Sequence, residues 1–63
     1  MLFVIFDDGN LVESFDDDNE AMKALSELAA VPEAEPRLVL VAFDESGEPI
    51  ADCIPGEPLV IPA

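Results

Sequence analysis

Short apolar runs alternate along this chain with acidic, turn-forming breaks, and the alternation predicts its elements. The stretch from Arg37 to Phe43 reads Arg-Leu-Val-Leu-Val-Ala-Phe, between Pro36 and Asp44-Glu45-Ser46-Gly47. Its length and β-branched content suit a strand better than a helix. Leu38, Leu40 and Ala42 fall on one side of such a strand, and Val39, Val41 and Phe43 on the other. A strand with two apolar faces belongs inside a sheet that is covered on both sides. Met1 to Phe6 has the same character, with Leu2, Val4 and Phe6 opposed to Met1, Phe3 and Ile5.

Between these two strands the pattern changes twice. Asp8-Gly9 separates apolar runs and predicts a hairpin, because a type I′ turn needs positive φ at both central residues. With that pair at the centre, Phe6 faces Leu11, Ile5 faces Val12 and Leu2 faces Phe15. Leu11 to Phe15 is more polar than the first strand and is expected at an edge. Asp16-Asp17-Asp18-Asn19 then opens a helix. Asp17 and Glu20 have the spacing of a capping box, though Asp18 or Asn19 could cap instead. Ala21, Met22, Leu25, Leu28 and Ala29 share one helical face, while Lys23, Ser26 and Glu27 face water. Lys23 can reach Glu20 or Glu27. Pro32 ends the helix near Ala30, and Val31 to Pro36 is a stiff connector.

After the central strand, Gly47 suits the left-handed position of a hairpin. Glu48 to Ile54 is expected to return as a fourth strand, held to an edge by Pro49, which cannot donate to a ladder. The expected fold is therefore α+β: a four-stranded antiparallel ββαββ sheet in spatial order 2-1-3-4, with one helix on one face. Residues 1–56 form the single domain. Residues 57–63, with Leu59-Val60-Ile61 fenced by prolines, form an apolar tail that either tucks into the core or adds to a partner's sheet edge.

One helix covers one face, so apolar side chains remain on the other, and an exposed apolar patch marks an interface. Phe3, Ile5, Val12, Val39 and Val41 are the residues assigned to that dimer or apolar face. A homodimer with two sheets packed face to face is the expectation, the alternative being closure by the tail. A chain of 63 residues supports the first, since it buries only about 60% of its unfolded surface and is marginal alone.

Charge adds a second theme. Fifteen acids against two bases give a net charge of −13. That argues against direct binding to nucleic acid or an anionic membrane, both of which need basic patches, and for a basic protein partner. The topology sorts the acids into two poles. Asp16, Asp17, Asp18, Glu20, Asp44, Glu45 and Glu48 gather at one end as a candidate partner-binding site. Asp7, Asp8, Glu33, Glu35 and Glu57 gather at the other. A dense acidic pole can imitate a phosphate backbone in a basic groove, although solvated charge runs are also ordinary in acidic proteins.

Catalytic chemistry has little support. The chain has no His, Tyr or Trp, and Cys53 has no base to activate it. The acids at 16–20 lack the alternating ligands and central glycine of a calcium loop. No cofactor, metal or catalytic residue is assigned. The opening Met-Leu-Phe-Val-Ile-Phe lacks the basic flank of a leader and is too short to span a bilayer. With one cysteine, a cytoplasmic location is expected.

In element order, residues 1–43 resemble the compact fold of HicB-type antitoxins, through Asp8-Gly9 in the hairpin and the acidic start of an amphipathic helix. Many small domains share that order, and no binding residue carries over. The leading functional expectation is a small acidic, non-catalytic inhibitor or antitoxin that occupies a basic, nucleic-acid-binding surface of a partner. The alternative is an assembly subunit that binds through its apolar face and tail.

Overall fold

The computed structural model describes residues 1–62. Ala63, the last residue of the expected tail, lies outside the described residues. The elements are β1 (Leu2–Asp7), β2 (Asn10–Phe15), α1 (Asp18–Ala29), a 3₁₀ turn (Glu35–Arg37), β3 (Leu38–Phe43) and β4 (Pro49–Cys53). They form a four-stranded sheet in the order β2-β1-β3-β4, with every pairing antiparallel. The two strands with apolar faces are central and the two more polar ones lie at the edges, as the sequence predicts.

Local chemistry accounts for the joints. Asp8 and Gly9 take φ of 52° and 84°, the left-handed pair that the β1–β2 turn needs. The Asp8 N–H donates to the Arg37 carbonyl at 3.0 Å, which ties this turn to the end of the 3₁₀ turn. Among the three possible helix caps the structure selects Asp17. Its Oδ2 accepts from the Glu20 N–H at 2.9 Å, and its carbonyl accepts from the Ala21 N–H at 3.1 Å. Arg37 belongs to the 3₁₀ turn rather than to the strand, so its side chain is free to meet Asp7.

The register of β1 and β2 departs from the simple hairpin. Phe6 pairs with Leu11 as expected, but Ile5 pairs with Glu13 and Phe3 with Phe15, the register shifting between Ile5 and Phe6. Val12 is the extra residue of this bulge, so the expected Ile5–Val12 and Leu2–Phe15 pairs do not form. The reason lies in Phe15. Without the bulge it would share a face with Leu2. With it, Phe15 joins Phe3 and packs, partly buried, against the core, and removing apolar surface from water is favourable. A second shift, between Ala42 and Phe43, makes Ile50 the extra residue on β4, and Ile50 also packs against the core.

That core lies between α1 and one face of the sheet. It consists of Phe3, Ile5, Ala21, Leu25, Leu38, Leu40, Ala42 and Cys53, and no polar or charged residue is buried in it. Ala21 and Ala42 are both fully buried, and two side chains this small let the helix lie close to the sheet. Leu59 and Ile61 of the tail also pack against this cluster, whereas Val60 is 72% exposed. The tail therefore extends the helix-side layer and does not close the opposite face.

Candidate functional site

Pairing fixes which side chains share the uncovered face. Leu2 lies opposite Phe43, Val4 opposite Val41 and Phe6 opposite Val39, while Leu11 lies opposite Phe6. Directly paired residues point to the same side, so these seven apolar residues form one surface on the side away from α1. Phe6, Val39, Val41 and Phe43 are partly buried by their neighbours, and Leu2 and Leu11 are exposed. Met1, Leu2, Val4, Phe6, Leu11 and Phe43 line an open groove of about 530 Å³. Val4, only 3% exposed, lies among these larger side chains.

This corrects part of the expected apolar face. Val39 and Val41 are on it. Phe3 and Ile5 are not: they are 5% and 0% exposed and belong to the core beneath α1. Both sides of β1 are apolar, so alternation alone cannot say which side the helix takes. Val12, displaced by the bulge, lines a shallow polar depression with Asp7, Asp8, Asn10 and Arg37 instead. Leu2, Val4, Phe6, Leu11 and Phe43 were the residues to find. The available signal was Ala42, a small side chain that suits close contact with a helix and so assigns its strand face to the core.

The groove is acidic at one end. Asp44, Glu45 and Gly47 complete its lining, and Asp52, paired with Val41, lies on the same face. The register also gathers the predicted pole. The C-terminal ends of β2 and β3 and the start of β4 meet at one end of the sheet. That brings Asp16, Asp17, Asp18 and Glu20 to the same end as Asp44, Glu45 and Glu48. Two of these acids have structural work: Asp17 caps α1, and Asp44 holds the β3–β4 turn. Asp44 Oδ1 accepts from the Ser46 N–H at 2.9 Å, from Ser46 Oγ at 2.7 Å and from the Glu48 N–H at 3.0 Å. These donors, Ser46 Oγ foremost, hold the Asp44 carboxyl below its usual range. Gly47, with φ of 86°, completes the turn.

Neither the lysine nor the arginine lies on this face. Arg37 sits at the far end, with Nε 3.0 Å from Asp7 Oδ1. This is the one ion pair among the described residues, and at its exposure it contributes little. Lys23 lies on α1 and is exposed. Its possible pairs with Glu20 and Glu27 do not form.

Cys53 is buried, and that burial, with the charges of Glu57 and Asp52, pushes its thiol pKa up, away from a reactive thiolate. Among the described residues no three His, Cys, Asp or Glu side chains are placed to hold a metal ion, and no helix is long and apolar enough to cross a membrane. No protein-family profile, curated protein or solved structure matches the chain.

Proposed function

We propose that this chain is a small acidic, non-catalytic protein-interaction module that holds a basic partner protein on its open sheet face. One observation carries the reading: the sheet side away from α1 presents seven apolar residues that neither the helix nor the tail covers, Leu2 and Leu11 exposed among them, with carboxylates at one end and no Lys or Arg. Exposed apolar surface of this kind marks an interaction site, and an acidic border selects partners of opposite charge.

The homodimer expected from the sequence fits less well. Two copies would bring −13 against −13, with neither cation on the apposed faces. The packing of Leu59 and Ile61 against their own core leaves Val60 alone of the tail's apolar run exposed and favours the sheet face over the tail as the contact surface.

The gathering of seven acids at one end supports a second reading. In it, that pole occupies a nucleic-acid-binding groove and the module acts as an inhibitor or antitoxin.

The two readings separate by variant and by salt. Immobilised protein is used to capture partners, and the same captured protein is compared across variants. Leu11→Glu should release a partner held on the apolar face and spare one held by the pole. Replacing Asp16, Asp18 and Glu20 by their amides should do the reverse. Binding through the pole should also weaken steeply between low and high ionic strength. A partner insensitive to both sets of substitutions contradicts both readings.

A further inference from the structure

The nature of the partner segment can be taken further, resting on the reading of the open face as a partner-binding surface. We propose that this face receives one amphipathic helix of a partner protein, its apolar stripe in the groove over Val4 and its Lys or Arg residues beside Asp44 and Glu45. The sheet would then be covered by a helix on each side.

Three features select this occupant. The first is dimension. The two central strands have six residues each, or about 20 Å of length, which a helix spans in about 13 residues. The sheet already carries a helix of 12 residues, α1, on its other face.

The second is charge. Asp44 and Glu45 line the groove's end and Asp52 flanks Val41, while Arg37 and Lys23 lie elsewhere. A cationic segment is complementary to this layout. A second copy of the chain, at −13, is not.

The third is the state of the sheet edges, where an extended segment would add instead. β4 begins at Pro49, which has no N–H to offer, and β2 is broken by the bulge at Val12. Both are poor templates for strand addition. The face, not an edge, is the surface that remains.

The test uses the full chain, isotopically labelled on amides and methyl groups, and a synthetic peptide of about 14 residues. The peptide is made of Leu and Lys with Leu at helical i, i+3, i+4, i+7 spacing. A scrambled peptide of the same composition and a Leu/Glu counterpart are the controls.

The expected result is saturable shifts confined to Leu2, Val4, Phe6, Leu11, Val39, Val41, Phe43 and the adjoining Asp44 and Glu45, with helix induced in the peptide. The scrambled peptide should bind at least about tenfold more weakly, and the Leu/Glu peptide should not bind. Leu11→Glu, at an exposed position that leaves the core alone, should weaken binding by at least about tenfold, as should Val41→Glu. Glu27→Gln, on the outer side of α1, should leave it unchanged.

Equal binding of the scrambled peptide, with shifts at Asp16 to Glu20, overturns the helix proposal while leaving a charge-led partner in place. Binding on the face without induced helix also overturns it, and leaves the face as an interaction surface. Self-association through the same residues overturns it in favour of a second copy. If no peptide touches the face and Leu11→Glu leaves capture of the natural partner intact, the underlying reading fails with it.

Discussion

The two faces of this sheet have nearly the same composition and opposite fates. On one side Ile5 and Leu40 are 0% exposed under α1. On the other, Val41 and Phe43 are only partly buried and Leu11 is 64% exposed. β1 and β3 supply Phe, Ile, Leu and Ala to the first and Leu, Val and Phe to the second. Hydrophobicity therefore does not distinguish them. What does is the single helix, which this chain can lay on one side only. The lesson is that an apolar strand face in so small a protein is either core or interface, and register decides which.

The comparison can be broken most forcefully from the covered side. Leu40→Ala should cost about 2–5 kcal/mol, as truncations in a packed core do. The whole chain is held by only roughly 3–9 kcal/mol, scaling per residue, so the variant should be largely unfolded by circular dichroism in mild urea. Val41→Ala, one residue along and on the other face, leaves no enclosed cavity and should cost about 1 kcal/mol or less. Equal losses at the two positions would mean that both faces are covered.

Next in size comes the cap that starts the covering helix. Asp17→Ala should cost about 1 kcal/mol, seen as a lower urea midpoint at unchanged slope. Asp18→Ala should cost less, since Asp18 holds no cap bond.

Smaller effects should come from the acidic end of the open face. The Asp44 carboxyl is held below the usual range in the folded chain. Its contribution is therefore present above the unfolded carboxylate's pKa of about 3.9 and is lost as pH falls through the lower folded value. Native protein should melt above Asp44→Asn at neutral pH, and the gap should close as the pH drops below about 4. A gap that persists in strong acid would assign the difference to turn geometry alone. The two acidic poles repel themselves at neutral pH, so salt should raise the melting temperature up to a few tenths molar, where screening lengths fall below about 10 Å. A melting temperature that falls with salt counts against the two-pole layout.

Much of this fold was legible in the sequence because its signals are local. Asp8-Gly9 set the hairpin, the Asp-rich start and Pro32 bounded the helix, and the contrast between apolar and polar strands set the order β2-β1-β3-β4. The face was harder. Phe3 and Ile5 could not be told from Leu2, Val4 and Phe6 by alternation, since both sets are large and apolar. The bulge at Val12 compounded this: a single extra residue reverses the facing of all that follows, and its cause, the burial of Phe15, is a tertiary gain with no local signature. The docking of Leu59 and Ile61 is tertiary in the same way. The placement of Asp16 to Glu20 at the same end of the sheet as Asp44 to Glu48, by contrast, follows from strand direction alone.

The central claim is that the face carrying Val39 and Val41 is open in the isolated chain while the face carrying Ile5 and Leu40 is closed. Relaxation of methyl signals by a neutral, water-soluble paramagnetic agent tests it most directly, in a dilute sample and again at high concentration. The account predicts strong broadening at Leu2, Leu11, Val39 and Val41 in both samples, with Ile5, Leu25 and Leu40 protected. Protection of Val39 and Val41 in the dilute sample would contradict it, by showing that the chain covers both faces itself. Protection that arises only on concentration would contradict the preference for a basic partner over a second copy.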